Sequence, residues 1–91
     1  MNGSIERWVG IDVAKSKLDV AMLDEHGKLK SHVFVNDAKG HAALMAWLRQ
    51  RGNSQQQIRV CMEATGCYGE ALAISLVDGG WCVSVVNPAR I

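Results

Sequence analysis

Two carboxylates, Asp12 and Glu63, stand where apolar, strand-like segments of this sequence end. Asp12 follows Trp8–Ile11, and Glu63 follows Ile58–Met62. Parallel strands bring their carboxyl ends to one edge of a sheet, where α/β proteins place ligands. Carboxylate oxygens suit Mg²⁺ or Mn²⁺, and two such ions can activate a nucleophile and stabilise the leaving oxygen of a phosphodiester. If the two strands are neighbours, the pair predicts metal-dependent phosphoryl transfer.

Each of these residues also has a structural interpretation without chemistry. An aspartate at a strand end is commonly a turn or cap residue, and Glu63 alone is typical of a solvated strand terminus. Lys15 and Lys17 flank the hairpin beside Asp12, where lysines either contact nucleic-acid phosphates or keep a strand edge soluble. Thr65 lies at a helix start next to Glu63, which suits a phosphate contact or simple capping.

The elements that must position these residues begin with three strands. Residues 7–13 form a largely apolar, β-branched run, and 17–23 alternate between an apolar and a more polar face. Asp24–Gly27 supplies a turn, after which 29–35 form a third strand. Short connections between consecutive strands are typical of an antiparallel meander. The amino-terminal half is therefore predicted to form three adjacent strands, the first of which carries Asp12.

The rest of the chain alternates helices with strands. Asn36 or Asp37 is a suitable N-cap for the first helix. The expected elements are a helix ending at Arg51, a strand over 58–62, a helix over 68–77 and a strand over 81–86. The order is β-β-β-α-β-α-β, and right-handed crossovers would place the fourth strand parallel to the first. This topology predicts an α/β protein with a mixed sheet of the ribonuclease-H-like type.

Size and composition indicate one folded domain. The chain has 91 residues, of which 48% are hydrophobic, and a formal net charge of +1. That charge carries no global signature of a nucleic-acid or membrane partner, although a local patch can still bind phosphates. Cys61, Cys67 and Cys82 lack the Cys-x-x-Cys spacing of zinc sites and favour a reducing cytoplasm. No signal or membrane-length segment is visible, so we expect a cytoplasmic protein without a membrane partner.

Three motifs in order resemble one known family. They are Gly10–Lys15, Met62–Gly66 and Val86–Ile91, the last reading Val-Asn-Pro-Ala-Arg-Ile. Together they look like the start of an insertion-sequence transposase with an Asp-Glu-Asp-Asp active site, a group that includes pilin-gene invertases and bridge-RNA-guided recombinases. The resemblance covers nearly the whole chain from about residue 7.

The resemblance implies a fold, a reaction and a ligand set. The family's amino-terminal domain is similar to the Holliday-junction resolvase RuvC, so residues 7–91 would be a partial RuvC-like domain after a disordered or extended tail at 1–6. Asp12 and Glu63 match the first two acidic residues, which implies catalytic roles as ligands of Mg²⁺ or Mn²⁺. The remaining two aspartates fall beyond Ile91, so the chain is expected to be a fragment truncated at its C-terminus, weak in metal binding and inactive alone. DNA, a guide RNA and a homo-oligomer are the partners that the resemblance suggests.

Two other functional classes stay open at this level. Sugar kinases and actin-like ATPases also begin with a Gly-Ile-Asp hairpin, although the stretch Ala14–Lys15 lacks the glycine that lets backbone approach ATP phosphates. A non-catalytic, self-associating module is the second alternative. We also expect the three cysteines to lie in or near the core. Trp8, Trp47 and Trp81 are expected to anchor the core rather than stack on bases.

Overall fold

The computed structural model describes residues 7–23, 27–51, 58–64 and 67–86. Its elements are β1 (Arg7–Val13), β2 (Lys17–Leu23), β3 (Leu29–Val35), α1 (Ala38–Arg51), β4 (Ile58–Ala64), α2 (Glu70–Asp78) and β5 (Cys82–Val86). This confirms the expected order. The second helix begins later than predicted because 67–69 form a turn, and the first backbone bond of α2 runs from the Ala73 amide to the Gly69 carbonyl at 2.9 Å. The expected tail at 1–6 and most of the turn 24–27 lie outside the described residues.

One five-stranded mixed sheet has the strand order β3-β2-β1-β4-β5. β1 pairs antiparallel with β2 and parallel with β4, and β4 pairs parallel with β5. A tight turn closes the first hairpin, in which the Ala14 amide donates to the Lys17 carbonyl at 3.0 Å. Helical connections permit the parallel pairings because they return the chain to the starting edge of the sheet. The arrangement agrees with the ribonuclease-H-like fold predicted from the sequence.

A single hydrophobic core lies between one face of the sheet and both helices. Alternate residues of β1, β2 and β4 point into it, as period-two side-chain geometry requires. Its fully buried large side chains are Leu18, Met22, Leu44, Leu48, Ile58, Met62, Leu72, Leu76, Val9, Val20 and Val60. Each such side chain contributes about 1.5–3 kcal/mol relative to exposure to water. Because both helices pack on this face, the described residues leave the opposite face of the sheet uncovered; we call it the open face.

Two expectations about the core are partly wrong. Trp81 is buried and Trp47 is half-buried, but Trp8 is 61% exposed. The reason is phase: Trp8 is one residue from buried Val9, so its side chain points to the open face. Among the cysteines only Cys61 is half-buried, whereas the other two are exposed.

The amino terminus of α1 packs directly against the end of β3. A Cβ atom added to Gly40 would overlap the Val35 carbonyl group, so only glycine permits this approach. Asp37 is the N-cap: its Oδ1 accepts a 2.7 Å hydrogen bond from the Gly40 amide. Asn36, the other cap candidate, has a different role, which is described below.

No helix within the described part of the chain is long and apolar enough to span a membrane.

Candidate metal site on the open face

Asp12 and Glu63 are register partners on adjacent parallel strands. β1 and β4 pair in a ladder that places Asp12 opposite Glu63. Neighbouring strands lie about 4.8 Å apart, and side chains at the same register position share a face. Both side chains are exposed on the open face. The predicted pair therefore occupies one place, near the carboxyl ends of its strands.

A third carboxylate, Asp19, lies in the same row. It is the β2 partner of Asp12, so the row runs Asp19, Asp12, Glu63 across three strands. Sequence reasoning missed it, although the alternation of β2 had placed it opposite the buried face. Asp19 forms a 3.7 Å ion pair with Lys17. Two strand spacings, about 10 Å, separate Asp19 from Glu63, and within the described residues no three acidic, histidine or cysteine side chains converge as metal ligands.

The carboxylate row borders an open groove of about 830 Å³. A second row of small residues, two positions before Asp12 on β1, crosses all five strands, and its members on β3, β2, β1 and β4 line the groove. The row consists of Ser31, Ala21, Gly10, Cys61 and Ser84. No atom of the described residues lies within 4 Å of a Cβ atom built on Gly10, so within this part of the chain the floor of the groove is open. A large substrate can therefore approach the carboxylates from this side.

The three polar residues predicted beside the pair have different outcomes. Lys15 is exposed in the β1–β2 turn. Lys17 is engaged by Asp19, in a pair whose side chains are 60% and 48% exposed, so its contribution to stability is small. Thr65 lies outside the described residues. A phosphate contact therefore remains a prediction for all three.

Hydrogen bonds of Asn36 connect the turn between β1 and β2 with the loop between β4 and α2. Asn36 Nδ2 donates to the Ala14 carbonyl and to the Tyr68 carbonyl, each at 2.9 Å. The Asn36 amide donates to the Ser16 carbonyl at 3.1 Å. Because Nδ2 faces two carbonyl groups, Oδ1 must accept the 2.7 Å bond from His41 Nε2. We call Asn36 and His41 the loop clasp; sequence reasoning considered Asn36 only as a helix cap.

His41 is the buried polar member of the clasp, with 4% of its surface exposed. Burial lowers the pKa of His41 below its usual 6.5, and the nearby Asp37 carboxylate opposes this shift to a smaller extent. At neutral pH the ring is therefore uncharged, and its single proton is on Nε2. A neutral imidazole can donate this bond without a buried charge.

The donor chemistry of the site suits a hard divalent cation. Two adjacent carboxylates concentrate negative charge, and their oxygens are ligands of the type that Mg²⁺ and Mn²⁺ take. Mg²⁺ commonly uses only one or two protein carboxylates and keeps several waters. Asp12 and Glu63 fit that requirement. The structure thus carries a pair of adjacent carboxylates on β1 and β4 of a mixed ribonuclease-H-like sheet.

Comparison with known proteins gives the family. The model of the IS110-type DEDD family, described as transposase, matches residues 9–91. The chain is 31% identical over 84 residues to the pilin gene-inverting proteins of Moraxella lacunata and Moraxella bovis. Those alignments cover 92% of this chain and 26% of each relative, so the chain spans about a quarter of their length. The chain belongs to this transposase family.

A solved structure supports the fold alone. YeaZ from Pseudomonas aeruginosa aligns with a TM-score of 0.54 and 22% identity, over 91% of this chain and 43% of that one. The similarity confirms the arrangement of strands and helices. At this identity it carries no information about the reaction.

Proposed function

We propose that this chain is the N-terminal metal-binding part of a DNA transposase, which cleaves and joins DNA strands during insertion-sequence transposition. The observation that carries the proposal is the pairing of Asp12 with Glu63 across β1 and β4. Both carboxylates are exposed beside an open groove, which a DNA backbone can reach. The family match and the pilin gene-inverting relatives support the reaction class.

Asp12 and Glu63 would hold Mg²⁺ or Mn²⁺ through their carboxylate oxygens and leave other coordination positions to water and phosphate. When bound, the metal supplies charge stabilisation at the phosphodiester and activation of the attacking hydroxyl group. Two carboxylates bind such an ion weakly, so we expect the 91-residue chain to show no strand transfer alone. A cleavage assay with supercoiled DNA and Mn²⁺ checks this expectation.

Titration of Mn²⁺ followed by electron paramagnetic resonance tests the metal site. Asp12→Asn and Glu63→Gln keep the side-chain shape but remove charge, and each should weaken Mn²⁺ binding by at least about tenfold. Asp78→Asn is the matched control, since Asp78 is exposed at the end of α2. Equal binding by all three variants would contradict the proposal. Thermal stabilisation by ATP instead of Mn²⁺ would favour a kinase-like function.

The family resemblance extends the proposal to a DNA substrate, a guide RNA and a cytoplasmic location. Lys15 is the exposed candidate for a phosphate contact on the turn after β1. Lys15→Ala should weaken DNA binding equally for all sequences and reduce the slope of log K against log salt by about 1. An unchanged slope would show that Lys15 is only a solvated lysine.

The alternative function that we propose is a non-catalytic module whose copies associate through the open face, which would cover the groove and exclude DNA from it. Large apolar side chains are exposed there, including Trp8 at 61%, Val33 at 56% and Val86 at 46%. Large apolar side chains exposed on one face favour association. Sedimentation equilibrium should detect oligomers, and Trp8→Ser should shift the protein toward the monomer. A monomer at all concentrations would contradict this proposal.

A further inference from the structure

We propose that Asn36 is a positioning residue of the candidate metal site, because its side chain joins the two loops that follow the carboxylate-bearing strands. The inference rests on the proposed function, since it concerns how Asp12 and Glu63 are held for the same metal. Asn36 lies outside both site strands, directly after β3. It would act through the backbone and would touch neither metal nor substrate.

The two loops leave the sheet next to the carboxylates. Ala14 follows Asp12 by two residues, and Tyr68 follows Glu63 by five. The β1–β4 ladder extends only to Val13 and its partner, so the strand pairing itself ends there. Beyond that point, Asn36 Nδ2 donates hydrogen bonds to a carbonyl group in each of the two loops, those of Ala14 and Tyr68, both at 2.9 Å. The clasp therefore continues the connection between β1 and β4 past the end of their ladder.

The chemistry of this position selects asparagine. Its carboxamide supplies two N–H donors on one atom for the two carbonyl groups and one acceptor for His41. Aspartate has the same shape but no donors, and glutamine is longer by a methylene group. The backbone amide of Asn36 adds a fourth bond, to the Ser16 carbonyl at 3.1 Å. Asn36 thus contacts the β1–β2 turn at two places and the β4–α2 loop at one.

His41 fixes the orientation of the carboxamide. Its Nε2 lies 2.7 Å from Asn36 Oδ1, and its ring is buried in the first turn of α1. With Oδ1 held in this way, Nδ2 must face the two carbonyl groups. Gly40 permits the arrangement because it lets α1 approach the end of β3. Helix α1, rather than a flexible loop, therefore anchors the clasp.

The test compares Asn36→Ala and Asn36→Asp with Ala46→Gly in the 91-residue chain. Ala46 is exposed in the middle of α1, so the glycine variant lowers stability without touching either loop. The first readout is hydrogen exchange at two amides that depend on the loops. The Ala14 amide donates to the Lys17 carbonyl group, and the Glu70 amide, at the start of α2, donates to the Cys67 carbonyl group. Both Asn36 variants should accelerate exchange at both amides by about tenfold relative to Ala46→Gly.

The second readout is the dissociation constant for Mn²⁺, measured where every variant is fully folded by circular dichroism. The Asn36 variants should bind Mn²⁺ about 10- to 100-fold more weakly than Ala46→Gly, as is usual when support behind metal ligands is lost. A role in stability alone would leave binding by the folded protein unchanged, and that result would overturn the inference. Unchanged exchange at the two loop amides would overturn it as well.

Two variants of His41 test the same inference if the Asn36 variants fail to fold. His41→Gln retains an N–H donor toward Asn36 Oδ1, whereas His41→Phe has none. Loop exchange should stay slow in the first variant and rise in the second; equal exchange would contradict the inference. If the unaltered chain binds no Mn²⁺, the proposed metal site fails, and the exchange measurements still decide whether Asn36 joins the loops.

Discussion

Replacing Gly40 by alanine should separate helix α1 from the end of β3. The added Cβ atom would lie 2.6 Å from the Val35 carbonyl carbon, and closer still to its oxygen, whereas real Cβ contacts start at 3.0 Å. The obstruction is backbone, so no side chain can rotate away. The start of α1 must therefore move by on the order of 1 Å.

The size of the effect follows from opposing contributions. Alanine in place of glycine gains about 1 kcal/mol in a helix through the lower entropy of the unfolded chain. Overpacking against immovable atoms costs about 1–3 kcal/mol. Displacement also weakens the Gly40 amide bond to Asp37 and the His41 bond to Asn36, each worth about 1 kcal/mol. We expect a net loss of up to about 2–4 kcal/mol, which lowers Tm by about 10–30 °C in a domain of this size.

Urea denaturation followed by circular dichroism measures this loss. Gly10→Ala is the matched control, because no atom in the part of the chain that the structure describes lies within 4 Å of the new Cβ atom and the φ angle of Gly10 is not positive. That variant should be as stable as the parent or more stable by about 0.5–1 kcal/mol. If Gly40→Ala is as stable as Gly10→Ala, then α1 does not pack on the end of β3, and the geometry of the loop clasp is wrong.

Three further measurements check the clasp, the cap and the core. The pKa of His41 is lowered in the folded chain, so near pH 6 the unfolded chain binds more protons than the folded chain. The free energy of unfolding should therefore fall as the pH drops below about 6.5. Urea titrations at several pH values measure this dependence, and His41→Gln should make it flatter. Asp37→Ala removes the N-cap bond to Gly40 and should cost about 1 kcal/mol, whereas an unchanged urea midpoint would contradict the capping role. Trp81 Nε1 is buried without a hydrogen-bond partner among the described residues. Trp81→Phe therefore breaks no hydrogen bond there and should cost less than about 1.5 kcal/mol by calorimetry, whereas a larger loss would contradict this reasoning.

The strands and their order could be predicted because the hydrophobic pattern has a clear period. In β2, Leu18, Val20 and Met22 alternate with polar or small residues, and all three are buried. The connection lengths then fix which pairings are antiparallel and which are parallel. From that topology alone, Asp12 and Glu63 were placed on adjacent strands, and their register pairing confirms it.

Other features depend on contacts between distant parts of the chain. Nothing local to Asn36 distinguishes a helix cap from a side chain that bonds to Ala14 and Tyr68, which lie 22 and 32 residues away. Trp8 was misplaced for a similar reason, since its size favours burial while its phase in β1 directs it to the open face. Composition predicts how much apolar surface a chain can bury, whereas phase decides which residues bury it.

The fold separates support of the site from access to it. Both helices and the apolar core lie on one face of the sheet, while Asp12 and Glu63 lie on the other. Mutations in the core should therefore change stability with little effect on metal affinity in the folded protein. The loop clasp is the exception, because Asn36 bonds to the backbone of the two loops that follow β1 and β4, the strands that carry the carboxylates. A change in Asn36 should alter metal affinity and stability together, and this coupling distinguishes a positioning residue from an ordinary core contact.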